Sequence, residues 1–183
     1  MYHGVSIRDL SAVINHLQPF RGDLEGRATE QPWYELQQPQ MEYRGVFDAK
    51  KIVYQEISTY QSFAMDTLGV YTNNKVFMIP STDLFLLTVL NSTPVWAYLS
   101  EVCSKLAGGT LALQASFVSK VPIPPASESE QESLRVLAQK CLDAKGQGAQ
   151  VAAWEAEIDE RVGRLYGLSS AEIAALRGEQ GKG

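Results

Sequence analysis

Residues 84–99 carry no charge and read Leu84-Phe85-Leu86-Leu87-Thr88-Val89-Leu90, then Asn91-Ser92-Thr93-Pro94, then Val95-Trp96-Ala97-Tyr98-Leu99. Leu84, Leu87, Leu90 and Val95 lie near one stripe of a helix, and Phe85, Leu86 and Val89 widen it around most of the girth. A helix of that kind has to be covered from several sides. The run is too short, and too polar at Asn91, Ser92 and Pro94, to span a membrane. Its surroundings limit how it can be covered. Ser81 or Thr82 stands where a cap belongs, Asn91-Ser92-Thr93-Pro94 breaks and restarts the helix, and Gly108-Gly109 stops it after about Leu106. Leu111, Leu113, Ala115 and Phe117 then alternate with Ala112, Gln114 and Ser116, which predicts a strand over 110–120 with one buried face. Val121-Pro122-Ile123-Pro124-Pro125 ends it.

The 183 residues suit one ordinary domain, or one domain with a helical appendage. A hydrophobic fraction of 45% and a charged fraction of 20% belong to a globular protein with a full core. The net charge of −5 counts against a free-standing nucleic-acid binder, although a local basic face is compatible with it. Cys103 and Cys141 lack metal-ligand spacing and read as buried thiols of a reducing cytoplasm. No basic-then-apolar leader opens the chain.

Before the apolar run, Ser6 with Asp9 predicts a capped helix bearing Leu10, Val13, Ile14 and Leu17, and 19–27 a second helical piece with Phe20 and Leu24 inward. Trp33-Tyr34-Glu35-Leu36, closed by Gln38-Pro39, changes the texture, and Arg44, Gly45, Asp48 and Lys50 form a charged turn. Residues 51–57 are β-branched and aromatic, which predicts a strand buried on both faces. Residues 63–66 make a second short strand. Val70-Tyr71-Thr72 and Val76-Phe77-Met78-Ile79 flank Asn73-Asn74-Lys75 as a hairpin. Past the prolines, Ser127 with Glu130, or Ser129 with Glu132, caps a helix carrying Leu134, Leu137, Cys141 and Leu142. Gly146-Gln147-Gly148 is a hinge. A further helix follows with Val151, Trp154, Ile158, Val162 and Leu165, closed by Gly167 and Leu168, and Ser169 with Glu172 opens a last one. The expected organisation is a helical segment over 1–30, an α/β core over 31–125, a helical region over 126–177 and a disordered tail over 178–183. The fold class is α/β (α+β): a twisted, mostly antiparallel or mixed sheet flanked by helices, with a C-terminal helical pair.

No catalytic constellation emerges. Gly108-Gly109 follows a helix and leads into a strand, the reverse of a phosphate loop. His3 and His16 sit in one segment with no metal partners. Asp48 and Lys50-Lys51 superficially suggest a nuclease pattern, but Glu56 has no lysine two residues on. Glu155, Glu157, Asp159 and Glu160 read as a solvated helix face. What does gather around the strands and turns is a set of planar and cationic side chains: Arg44, Lys50, Lys51, Gln55, Glu56, Asn73, Asn74, Lys75, Gln114, Ser116 and Lys120. Such groups read base edges and hold phosphates, and they are equally the groups of ordinary turns and surfaces.

The order of Trp33-Tyr34-Glu35-Leu36, Lys51-Ile52-Val53-Tyr54-Gln55-Glu56-Ile57-Ser58, Asn74-Lys75-Val76-Phe77-Met78-Ile79-Pro80, Leu90-Asn91-Ser92, Gly108-Gly109 and Lys120-Val121-Pro122-Ile123-Pro124 resembles the TaqI-like C-terminal specificity domain of DNA adenine-N6 methyltransferases and type IIG restriction-modification enzymes. The resemblance covers roughly residues 10–175. The proline stretch followed by 128–132 and a helix is also similar to type I specificity subunits, where the helix is a spacer. The resemblance implies recognition of double-stranded DNA by a non-enzymatic, cytoplasmic, membrane-free module. It also implies an upstream methyltransferase domain, in some relatives with a nuclease, that holds S-adenosylmethionine and the Asn/Asp-Pro-Pro-aromatic motif. Pro122-Ile123-Pro124 lacks the amide or carboxylate of that motif. On this reading Gln55, Ser58, Asn73, Asn74, Gln114 and Ser116 are the expected base readers, Arg44, Lys50, Lys75 and Lys120 the expected phosphate contacts, and the 110–120 strand turns its polar face to DNA. A protein-interaction module docking through the C-terminal helices is the alternative, and a small hydrolase a further one.

Overall fold

The computed structural model describes residues 9–28, 31–35 and 41–180. The chain divides into two compact units, residues 1–45 and 46–183. In the first, α1 (Ser11–Leu17), a 3-10 turn (Gln18–Phe20) and α2 (Arg21–Glu25) follow one another, with Pro19 in the first positions of the 3-10 turn where its missing N–H is harmless. Phe20, expected inward, is 53% exposed. These helices are too short to present a continuous apolar stripe, and polar contacts hold the unit instead. The Arg27 guanidinium donates to the Leu24, Glu35 and Trp33 carbonyls at 2.8, 2.9 and 3.2 Å, and Arg21 lies over the Trp33 ring at 5.3 Å. Ser6, His3, Leu36, Gln38 and Pro39 lie outside the described residues.

The second unit is an α+β fold with two small antiparallel sheets flanked by helices. The expected charged turn at 44–50 is instead a short helix, α3 (Arg44–Asp48). The first sheet has the order β3-β1-β4, from β1 (Lys51–Gln55), β3 (Ala64–Asp66) and β4 (Val76–Ile79). β1 is central, with Ile52 opposite both Met65 and Ile79 and Tyr54 opposite Phe77. Ile52 and Tyr54 face the core, where Tyr54 packs against Phe63 and Phe77 at 4.9 and 5.4 Å. Burial pushes its phenol up to about 12. The second sheet, order β2-β6-β5, joins β2 (Ile57–Ser58), β5 (Ser104–Lys105) and β6 (Leu111–Ala112).

The expected hairpin at 70–79 does not form. β4 pairs with β1, and Val70-Tyr71-Thr72 is irregular because the Asp66 carboxylate takes the N–H groups of Leu68, Gly69 and Val70 at 2.9, 3.1 and 2.8 Å. Tyr71 stacks on Phe47 at 4.8 Å and donates to Asp48 at 2.7 Å. Gly108-Gly109 does turn the chain, both at φ 72°, but it joins β5 to β6. The preceding helix has already ended at Val102.

The apolar run forms α4 (Leu84–Leu90) and α5 (Thr93–Val102), restarted at Pro94 as expected. Asp83, not Ser81 or Thr82, caps α4, accepting from the Phe85 N–H at 2.9 Å. The predicted 110–120 strand is the largest correction. Only Leu111–Ala112 pairs, and Ala115–Val118 is a helical turn, α6. β2 offers just two residues to pair with, because the Ser58 hydroxyl bonds the Tyr60 carbonyl and N–H and bends the chain away. Without a partner, the Gln114 carbonyl accepts instead from the Phe117 and Val118 N–H groups, closing a helical turn that buries Val118.

The C-terminal helices follow the sequence closely. Ser127 caps α7 (Glu128–Asp143), and α8 (Ala149–Leu165) carries Val151, Ile158 and Val162 inward. It ends with Leu168 N–H on the Gly163 carbonyl and Gly167 N–H on that of Arg164, the Schellman pattern. Ser169 and Glu172 cap α9 (Ser170–Gln180) reciprocally, and α9 runs past Gly178, where the tail was expected. Residues 181–183 lie outside the described residues. α4, α7 and α8 enclose the core with Leu134, Leu137 and Leu99. The proline segment is strapped across it by Tyr166, whose hydroxyl donates to the Pro122 carbonyl at 2.6 Å. No helix among the described residues is long and apolar enough to cross a membrane.

Candidate nucleic-acid interface

Glu56 sits where the chain leaves the first sheet for the second. Its N–H donates to the Lys75 carbonyl at 2.9 Å, and its carbonyl accepts from the Leu113 N–H at 2.7 Å. Three segments distant in sequence, 55–58, 73–76 and 111–114, are therefore held side by side. On them Gln55, Asn73, Asn74, Lys75 and Gln114 are all exposed, with exposed Ser116 two residues beyond Gln114. Five of the ten residues expected from sequence thus meet at one seam.

Local chemistry explains why they stand outward. Gln55 follows Tyr54 in β1 and so faces away from the core. The Asn73 carboxamide accepts the Lys75 N–H at 2.9 Å, a short polar turn that presents Asn74 at its tip. Gln114 is the residue before α6, with its backbone extended and its side chain free of the cap.

The other expected residues are placed differently. Ser58 is 4% exposed, and its hydroxyl holds the Tyr60 turn and accepts from Ser62 at 3.3 Å, so it is structural in this conformation. Lys50 is exposed before β1, and Lys120 is exposed where its carbonyl accepts from the Tyr98 hydroxyl at 3.5 Å. Arg44 begins α3, and its side chain lies outside the described set.

Two features of this region were not picked out from sequence. Lys51 is fully buried, and its ammonium donates to Asp66 at 2.5 Å and to the Phe47 carbonyl at 2.8 Å. That hydrogen bond, joined by the N–H bonds from Leu68 and Val70, holds the Asp66 carboxyl down at about 2. Adjacent lysines at 50 and 51 gave no sign of which points inward. Strand parity settles it only once Ile52 and Tyr54 are known to face the core.

The second feature is the charge map. Residues 57–82 and 102–127 contain one acid, Asp66, and three lysines, at 75, 105 and 120. Asp66 is buried against Lys51, and the acids that border these stretches are paired, Glu56 with Lys75 and Glu101 with Lys105. The acids collect instead on 128–183, with ten against seven basic residues. Many of these are paired, as in Arg161 with Glu157 and Glu130, and Arg135 with Glu128. Among the described residues no group of three His, Cys, Asp or Glu side chains could hold a metal. A cleft of about 480 Å³ between α4, α7 and α8 contains Asp159, but its carboxylate already accepts from Thr93 and Arg177.

The family model of the TaqI-like C-terminal specificity domain matches residues 15–123, more than half of the chain. The chain belongs to that family. The match takes in every segment of the seam and stops within the proline strap. Among solved structures, the type IIL restriction-modification enzyme MmeI, determined in complex with DNA, is similar with a TM-score of 0.69 and 16% identity. The alignment covers 98% of this chain and 28% of that one, so this specificity domain spans under a third of the length of MmeI. No curated protein matched the chain. The expected TaqI-like identity and α+β fold class are thus both met.

Proposed function

We propose that this specificity domain recognises a defined sequence in duplex DNA for an N6-adenine methyltransferase or restriction-modification enzyme. Methyl transfer, and the S-adenosylmethionine it needs, belong to a domain outside residues 1–183. The observation that carries the reading is the seam itself: exposed Gln55, Asn73, Asn74 and Gln114 converge on one surface, where the neighbouring acids Glu56 and Glu101 are each paired with a lysine. Carboxamides of Asn and Gln match the paired donor and acceptor of adenine in the major groove, and lysines hold phosphates. Ser116 lies near enough in the chain to join the readers. Lys50, Lys105 and Lys120 supply the phosphate contacts. MmeI, which shares the fold, was determined with DNA bound, and that supports the same use here.

Binding of a fluorescent duplex by the full-length protein, followed across about 50–300 mM salt, tests this. Affinity should fall steeply as salt rises. Lys120→Gln and Lys105→Gln should each flatten the log–log slope by about 0.9, one released counterion per lost phosphate contact. Salt-insensitive binding, or none at the lowest salt, would overturn the reading.

A further inference from the structure

The loop after β3 holds apolar side chains in water: Leu68 is 87% exposed, Val70 51% and Tyr71 63%. It is not free to fold them away. The Asp66 carboxylate takes the N–H groups of Leu68, Gly69 and Val70, and the Tyr71 ring stacks on Phe47. Gly69, at φ 71°, lies tight against the Asp48 carbonyl. A buried ion pair thus fixes a leucine outward, and a fixed apolar protrusion marks a contact with something outside the chain.

Strand parity shows where the protrusion stands. Lys51, Val53 and Gln55 alternate on the face of β1 away from the core, opposite Ile52 and Tyr54. Asp66 is paired with Lys51 and shares that face, and its bonds to residues 68–70 bring the loop there too. The loop and exposed Gln55 therefore lie on one face of the first sheet, separated by the length of β1, about 14 Å. Lys50 is exposed at the loop's end of that strand, and Asp48 beside it is occupied by the Tyr71 hydroxyl at 2.7 Å.

We propose that Leu68 is a wedge that enters the minor groove and parts one base step of the duplex, an inference that rests on the DNA-recognition reading above. Along one face of B-DNA the major and minor grooves alternate every half turn, about 17 Å or five base pairs. With the amides of the seam in the major groove, a duplex laid along β1 brings the next minor groove to the loop. An apolar side chain inserted there unstacks neighbouring pairs and bends the duplex toward its major groove. Lys50 meets a phosphate at the edge of that groove. The Lys51–Asp66 pair supplies the stiffness, because insertion works against stacking.

Fluorescence of 2-aminopurine, which brightens on unstacking, tests the assignment. The full-length protein first enriches its sequence from a randomised duplex library, and the probe is then placed at each position of that duplex in turn. One step, about four or five pairs from the positions that Gln55→Ala relaxes, should brighten severalfold. Leu68→Ser should abolish that signal and weaken binding about tenfold. Its library preferences and thermal midpoint should stay unchanged, since so exposed a side chain supports little of the fold. Leu68→Met, apolar and similar in volume, should keep both signal and affinity. A brightening that persists in Leu68→Ser, or none in the wild type, overturns the wedge while leaving the DNA reading intact. So does a Leu68→Ser variant that binds DNA normally but loses association with another protein chain, which makes the loop a protein-docking surface. A wild-type protein that enriches no sequence overturns the DNA reading and the wedge with it.

Discussion

Lys51 and Asp66 show how one buried pair organises a whole loop. The ammonium has no solvent exposure, and the carboxylate that neutralises it also gathers three backbone N–H groups of residues 68–70. Removing either partner leaves the other charge buried and uncompensated. Lys51→Ala should destabilise the chain by about 3–5 kcal/mol, measured by urea unfolding at pH 7. The pH dependence has a definite sign. Asp66 in the folded chain is held at about 2, below the roughly 3.9 of an unfolded aspartate. Its contribution is complete above the unfolded value and is lost as pH falls through 4 toward 2, because the unfolded chain takes up the proton first. The stability difference between wild type and Asp66→Asn should therefore narrow as urea midpoints are followed from pH 5 to pH 2. Gly69 completes the loop at φ 71°, where a Cβ would come within 2.9 Å of the Asp48 carbonyl oxygen. Gly69→Ala should cost about 2–3 kcal/mol. Gly108→Ala, at φ 72° but in open space, should cost only about 1 kcal/mol for the left-handed backbone. Urea midpoints of the two variants measured together separate contact from conformation.

Among the elements, α5 shows where local rules stop. Ser92 occupies its cap position, yet its hydroxyl bonds back to the Val89 carbonyl at 2.7 Å and caps nothing. The α5 N-terminus is satisfied from 66 residues away, where Asp159 of α8 accepts from the Thr93 N–H and hydroxyl, both at 2.7 Å. Arg177 of α9 donates to the same carboxylate at 3.1 Å, so one side chain ties three helices. Asp159→Ala should cost about 1–3 kcal/mol by thermal or urea unfolding, with Asp159→Asn in between, since an amide keeps one acceptor. Ser127→Ala, at a purely local cap, should cost about 1 kcal/mol. Legibility followed the same division. The caps of α7 and α9, the Pro94 restart and the α8 terminus were readable because each needs only residues within about five positions. The 110–120 strand was misread because alternation over a few small residues suits a strand or a helical turn equally, and the length of β2 decided between them.

For the whole unit 46–183, charge is sorted along the chain: residues 57–82 and 102–127 contain a single acid, while the part from 128 onward carries an acidic excess. Charge reversal on the helices, as in Glu132→Lys, should therefore alter duplex affinity only at low salt and leave base preference unchanged, because fields between exposed groups are screened beyond about 10 Å at 0.1 M. The same library enrichment and salt titration check both parts. Packing adds a second whole-unit feature. Gly163 lies buried in α8 where a Cβ would meet Ile173 at 2.4 Å, so the absence of a side chain there sets how closely α9 approaches.

Residue pattern alone determined the buried helix over 84–99, the central strand at 51–55, the capped C-terminal helices and the ordered motifs that mark the family. Each follows from periodicity or from hydrogen bonds closed within a few residues. The tertiary structure alone decided which polar residues share a surface. Gln55, Asn74 and Gln114 are joined by two main-chain bonds at Glu56, and such bonds leave no trace in side-chain order. It also decided which of Lys50 and Lys51 is buried, that Ser58 serves a turn, and that Glu56 meets Lys75. Register between distant strands is set by the whole fold, and the charges and amides that could read DNA are aligned by register.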